Sequence, residues 1–257
     1  DRANASVISQ TGNLSEANVR QRDDAQSSTI AQSGTRQRAM VSQGVEGSAD
    51  NSYGNISAIK QAGSANLATV SQFGRNGNST VDQNGVENTA WVEQVAGTRN
   101  NTAYIAQTGS KQQAIVYQTG NSNEGVITQA DRDNFARINQ PGSRNFAEIN
   151  QSGTPQIGVV DQIGNSNGAL VEQRGSHQYA NVNQTGNGNN ASAKQSGTRQ
   201  VALTYQSGNG NLSDITQGGT AQYAEVNQSG NNNTSTISQT GHATNAAYVF
   251  QTTNGNM

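Results

Sequence analysis

A glutamine returns every eleven residues along most of this 257-residue chain. The period defines 22 units, of which the first contains Gln10 and the last Gln251, and it runs without interruption from Gln107 to Gln239. A fixed short period is typical of a stack of equivalent structural units, each of which buries its apolar face against its neighbours. The repeat therefore argues against a fold built around one pocket.

Within each unit the restricted positions lie two residues apart. With each Gln as position zero, position −4 is Ala, Ser or Gly in all 22 units, position −2 is Val or Ile in 20, and position −6 is Asn or Gln in 20. A spacing of two places side chains on one face of a strand. Because no charged residue occupies these positions, we expect a narrow, buried inner face, with charges and aromatic rings outside or in turns.

A second period of 22 residues is superimposed on the first. From Asn145 to Asn233 position −6 alternates between Asn and Gln, which indicates that alternate strands belong to two different sheets. The predicted fold is all-β: a two-sheet β-solenoid of about eleven 22-residue strand-turn-strand-turn repeats, stacking as cross-β amyloid. We expect one domain over residues 1–257, with an enlarged turn at residues 44–54, where the period slips by seven residues.

Two inward columns of amide side chains are the main candidate site. Buried amides need hydrogen-bond partners, which could lie along the stack or on the turn backbone; the sequence leaves both open. The predicted glutamine ladder comprises Gln107, Gln118, Gln129, Gln140, Gln151, Gln162, Gln173, Gln184, Gln195, Gln206, Gln217, Gln228 and Gln239. The predicted Asn/Gln ladder comprises Asn145, Gln156, Asn167, Gln178, Asn189, Gln200, Asn211, Gln222 and Asn233.

Glycine occupies position +2 in 17 units. We expect these glycines to lie in turns of about four residues, since glycine is common where a turn requires an unusual backbone conformation. The turn glycines that we single out are Gly142, Gly153, Gly164, Gly175, Gly186, Gly197 and Gly208.

Composition narrows the possible functions. The net charge of −2 gives no electrostatic footprint for nucleic acid, and no apolar stretch is long enough to span a membrane. The chain has no cysteine, and its acidic residues are scattered over the repeats instead of forming a cluster. We therefore predict no catalytic residues, no metal ligands and no cofactor.

The ends of the repeat suggest how the chain interacts. The pattern begins by Asn4 and continues to Gln251, so we expect terminal strands with unpaired backbone groups. The best partner for one such end is the opposite end of an identical molecule, and a contact that does not close produces a filament. The predicted self-assembly edges comprise Val7, Ile8, Gln10, Val249 and Gln251.

Residues 184–195 have the form Gln-x-Gly-x-Gly-Asn-x-Ala-x-x-x-Gln, and near matches recur at 61–72, 140–151, 162–173, 206–217 and 228–239. This pattern resembles that of the curli amyloid subunits, the curlins, over essentially the whole chain. The resemblance implies a secreted bacterial subunit that forms extracellular, cell-surface fibres of a biofilm matrix and aids adhesion and cell aggregation. It also implies a nucleator or major curlin subunit and an outer-membrane secretion pore as partners.

Several alternatives stay open at this point. A major or a nucleator role fits the resemblance, and a monomeric solenoid adhesin that binds a surface through its outer face is the rival function. The charges at Asp23, Asp24, Asp131 and Asp133 occur where other units have glycine-containing turns. They could act as gatekeepers that slow association, or they could be ordinary solvated residues.

Overall fold

The computed structural model describes residues 3–44, 52–241 and 244–256. The described residues form strands and short connections, with no helix among them. Odd and even strands alternate between two parallel sheets, with about eleven strand pairs stacked as a β-solenoid. The predicted fold class is confirmed. At about 4.8 Å per strand the stack is about 50 Å long.

The strands in chain order are β1 (Ala5–Asn13), β2 (Glu16–Gln21), β3 (Ser27–Thr35), β4 (Arg38–Gln43), β5 (Ile56–Ser64), β6 (Leu67–Gln72), β7 (Asn78–Val86), β8 (Thr89–Gln94), β9 (Thr102–Ser110), β10 (Gln113–Gln118), β11 (Glu124–Arg132) and β12 (Phe135–Gln140). They continue as β13 (Gly142–Ser143), β14 (Phe146–Gly153), β15 (Gln156–Asn165), β16 (Gly168–Ser176), β17 (Gln178–Asn187), β18 (Asn190–Thr198), β19 (Val201–Asn209), β20 (Leu212–Thr220), β21 (Gln222–Ser229), β22 (Thr234–Gly241) and β23 (Asn245–Gln251). We call the sheet that begins with β1 the odd-chain sheet, although β14 onwards changes parity, and the sheet that begins with β2 its partner sheet.

Register is set by the repeat. Each inward Gln pairs with the Gln of the next rung, as Gln10 does with Gln32 and Gln184 with Gln206. The longer gap between Gln32 and Gln61 does not disturb this pairing, because β3 and β5 remain aligned along their full length. The extra residues are therefore accommodated between strands. Of the enlarged turn expected at 44–54, residues 45–51 lie outside the described part of the chain.

The core is thin and pairs small residues with larger ones across the two sheets. Position −2 residues such as Ile127 and Ile149 are fully buried, as are the alanines at position −4. Gly125 faces Val116 and Ile138 of the opposite sheet, which shows that position −4 of one sheet packs against position −2 of the other. Ala, Ser or Gly at position −4 is what lets the two sheets approach closely.

The seven glycines singled out above lie within strands, which differs from the turn location expected from the sequence. They have φ between 106° and 151°, and each pairs with glycine in a neighbouring rung, as Gly164 does with Gly186. The chain bends two residues later, at non-glycine residues such as Arg199 (φ 56°). Only Arg199 and Gln200 separate β18 from β19, so the connections are shorter than expected.

We predict that Gly186→Ala will destabilise the solenoid by about 2 kcal/mol or more in urea unfolding. A Cβ on Gly186 would collide with the backbone carbonyl of Gly208, and its φ of 111° is unfavourable for alanine. Gly168→Ala is the control, because Gly168 has no such φ and its nearest neighbour, the Asn190 Oδ1, is 3.4 Å from the added Cβ. Equal stability of the two variants would contradict the close glycine packing.

Candidate functional site: the amide ladders and the open edges

The inward glutamines form two continuous ladders, one in each sheet. In the sheet that contains β11, Gln129 donates through Nε2 to Oε1 of Gln151, one rung away, at 2.8 Å. The same Nε2 also donates to the backbone carbonyl of Gln113 at 3.0 Å. The structure places all thirteen predicted glutamines, Gln107 to Gln239, in such bonds, with 0–7% of each residue exposed. The two kinds of partner that the sequence left open are thus used together.

The predicted Asn/Gln ladder consists of two columns with different bonding. In the Asn column, Asn145 accepts from the backbone N–H of Asn167 at 2.9 Å and donates to the carbonyl of Gly164 at 2.9 Å. In the Gln column, Gln178 donates to Oε1 of Gln200 at 2.9 Å and to the carbonyl of Arg174 at 3.0 Å. The short Asn side chain pairs with the backbone, whereas the longer Gln reaches the next side chain. All nine members are buried.

The Gln column has a defect where its residue type changes. Asn134 lies between Gln112 and Gln156 in this column, and the amide oxygens of all three are buried without a hydrogen-bond partner. Below this point, Asn88 accepts from the backbone N–H of Gln112; above it, Gln156 donates to Gln178. The two bonding patterns do not join, which leaves these three acceptors unsatisfied.

An exposed asparagine ladder was missed by the sequence reasoning. The backbone N–H and Nδ2 of Asn187 both donate to Oδ1 of Asn209, at 3.0 and 3.1 Å. The signal in the sequence was an Asn directly after glycine, repeated every 22 residues. The members of this ladder are Asn165, Asn187, Asn209, Asn231 and Asn254.

The predicted self-assembly edges lie in the first and last strands. Every residue of β1 is exposed, including the inward Ile8 at 46%, and the outward Val7 is 60% exposed. In β23, Val249 and Gln251 are half-buried, although the matching positions of interior strands are buried. Within the described chain, β1 pairs only with β3, and β23 pairs only with β21. Both strands thus present a side with no neighbouring strand.

The four aspartates that could act as gatekeepers occupy irregular backbone positions. Asp131 stands in a glycine column, between Gly109 and Gly153, with φ 75°. Asp133 also has a positive φ and forms an ion pair with Arg132 at 3.1 Å. Asp23 has φ 62°, and Asp24 forms an isolated bridge to Tyr53. Whether these charges slow association stays a prediction.

Aromatic side chains cluster on the outer face near the C-terminal end. The rings of Tyr223 and Tyr248 are 5.4 Å apart, and Tyr248 stacks on Phe250 at 6.4 Å. The hydrogen bond that Tyr223 donates to Glu225 raises the pKa of Tyr223 to about 12, with smaller contributions from burial and from nearby acidic groups. This phenol therefore stays neutral at physiological pH. Among the described residues, no three His, Cys, Asp or Glu side chains converge to hold a metal ion, and no helix has the length and hydropathy needed to cross a bilayer.

Comparison with protein families agrees with this repeat geometry. The curlin associated repeat matches the chain four times, at residues 49–85, 98–130, 186–219 and 211–241. The chain is a curlin-repeat protein. A search of curated proteins gives no match. Because curlins are a structural family, membership supports a structural role.

We predict that Gln184→Leu will cost this curlin-repeat protein about 2–5 kcal/mol of stability in urea unfolding. The change removes bonds of 2.9 Å to Gln206, to the Gly168 carbonyl and from Gln162, and each buried group left unpaired costs about 1–3 kcal/mol. Asn181→Ala is the control on the outer face of the same strand, where the Asn181 Nδ2 bonds only to Tyr179 at 3.3 Å. The interior role of the ladder would be refuted by equal losses in the two variants.

Proposed function

We propose that the chain is a secreted structural subunit that self-assembles head to tail into amyloid fibres of a bacterial biofilm matrix. The observation that carries the proposal is that the outermost strands repeat the interior pattern in exact register. Gln10 pairs with Gln32, and Gln251 with Gln228, just as interior glutamines pair with each other. A further copy of the chain would offer each open strand the partner that interior strands already have.

Unpaired strand edges favour this association physically. An open parallel strand presents backbone N–H and C=O groups that another strand can pair with. At the described ends this backbone is accompanied by the side chains of the inner columns, such as the exposed Ile8 and the half-buried Val249. Contact between two different ends is heterologous, and a translation along the stack does not close into a ring. Repetition of the contact would therefore yield a fibre.

The biological setting is inferred from the curlin repeats. Such a fibre would be extracellular, attached to the cell surface, and would promote adhesion and cell aggregation. The natural partners proposed are further copies of this chain, a major or nucleator curlin subunit, and an outer-membrane secretion pore. A structural role agrees with side-chain chemistry that serves stacking, since the buried polar groups are amides that bond to one another and to the backbone.

We predict that the purified chain will form long fibres without added partners. Oriented samples should diffract at about 4.8 Å along the fibre and about 10 Å across it, because the strands lie perpendicular to the stack and the sheets face each other. Electron microscopy after incubation, followed by fibre diffraction, tests this. A chain that remains monomeric at high concentration for days, even with seeds, would favour the surface-binding adhesin instead.

A further inference from the structure

Both glutamine ladders run in one direction. Each of the twenty side-chain bonds goes from Nε2 of one Gln to Oε1 of the Gln in the next rung toward the C-terminus, from Gln10 to Gln239 in one sheet and from Gln21 to Gln251 in the other. The N–H donors thus face the C-terminal end of the stack, and the oxygen acceptors face the N-terminal end.

The backbone fixes this direction. The Nε2 of Gln239 also donates to the carbonyl of Tyr223 at 3.0 Å, and that of Gln251 donates to the carbonyl of Thr234 at 2.9 Å. Rotating either amide by 180° would place Oε1 against a carbonyl oxygen and lose the bond. Because such a backbone bond recurs at interior glutamines, as at Gln129 with Gln113, the ladder cannot reverse without losing a bond at each rung.

The two described ends are therefore complementary to each other and not to themselves. At the N-terminal end, the Oε1 atoms of Gln10 and Gln21 receive no donor from the described residues. At the C-terminal end, Gln239 and Gln251 donate to the backbone but to no further Gln among those residues. An N-terminal end placed against another N-terminal end would oppose acceptor to acceptor.

The position −6 column is complementary in the opposite sense. Each Asn oxygen accepts from the backbone N–H of the next rung, so that Asn4 accepts from Gln26 and Asn233 accepts from Asn256. At the C-terminal end, Oδ1 of Asn256 occupies the acceptor position, and at the N-terminal end the backbone N–H of Asn4 occupies the donor position. One head-to-tail contact would satisfy both columns.

We propose that each copy docks its C-terminal rung, β22 and β23, on the N-terminal rung, β1 and β2, of the next copy. In this contact Gln239 and Gln251 donate to the Oε1 atoms of Gln10 and Gln21 of the second copy. The fibre then has one donor end and one acceptor end, and subunits add in a single orientation. This inference rests on the proposed function, and its partner is a second copy of the same chain.

A charge exchange across the contact tests the orientation. Gln10→Lys keeps a donor toward Gln32 but removes the outward acceptor, so its ammonium would oppose the Gln239 amide donor of the other copy. Gln239→Glu keeps an acceptor for Gln217 but removes the outward donor, so its carboxylate would oppose the Gln10 oxygen. We expect each single variant to elongate parental seeds about tenfold more slowly or worse, since an unpaired buried charge is costly.

The double variant Gln10→Lys/Gln239→Glu should recover most of the lost rate. In the head-to-tail arrangement the new ammonium meets the new carboxylate across every contact and forms a charge-assisted bond. Pairing of like ends would place ammonium against ammonium and carboxylate against carboxylate, so growth would be slower than in either single variant. Elongation is measured on labelled seeds by fluorescence microscopy, with Ser9→Lys and Ser238→Glu, on the outer faces of the same strands, as controls.

An equimolar mixture of the two single variants gives a second test that does not depend on the double variant. Alternating copies would pair ammonium with carboxylate at one contact and Gln with Gln at the next, so the mixture should outgrow either variant alone. If the parent chain forms fibres but neither the double variant nor the mixture grows faster than the single variants, the proposed orientation is wrong. If the parent chain forms no fibres, it is the proposed function that fails.

Discussion

A buried glutamine that can be satisfied only by another glutamine one rung away constrains the whole structure. The amide of Gln173 bonds to Gln151, to Gln195 and to the backbone carbonyl of Ile157. These partners coincide only if strands are parallel and in register, so the sequence must return to the same phase in every rung. Extra residues are tolerated between strands, as before β5 and before β9, where register resumes at once.

The apolar core depends on the same register. Small residues at position −4 must face larger residues at position −2 of the other sheet, and the exceptions to this pattern remain satisfied. Thr204 takes the place of Val or Ile, yet its hydroxyl lies 3.3 Å from that of Ser213 in the facing strand. A polar group in a thin core is acceptable when it meets a partner of the same kind. The repeat thus tolerates substitutions that preserve local pairing.

Much of this architecture could be predicted from the sequence, because a period of two within a period of eleven defines faces and rungs directly. Strand length could not, since Gly186 and its equivalents allow the strand to continue where glycine usually signals a turn. The choice of amide partner depended on side-chain reach: Asn145 is too short for the ladder that Gln178 forms. The exposed ladder through Asn187 escaped attention because Asn is also common in ordinary turns.

In a stack each rung interacts with its neighbours alone, so stability is close to a sum of rung and contact terms. This locality explains how the unsatisfied oxygens of Gln112, Asn134 and Gln156 can persist: the ladders of the facing columns continue past them unbroken. The same locality makes a described end rung differ from an interior rung mainly by one missing neighbour. The chemistry that joins β20 to β22 within the chain is then the chemistry available between β22 and the first strand of another copy. Folding and assembly would use one set of contacts, and the direction of the glutamine ladder would determine how those contacts extend from one molecule to the next.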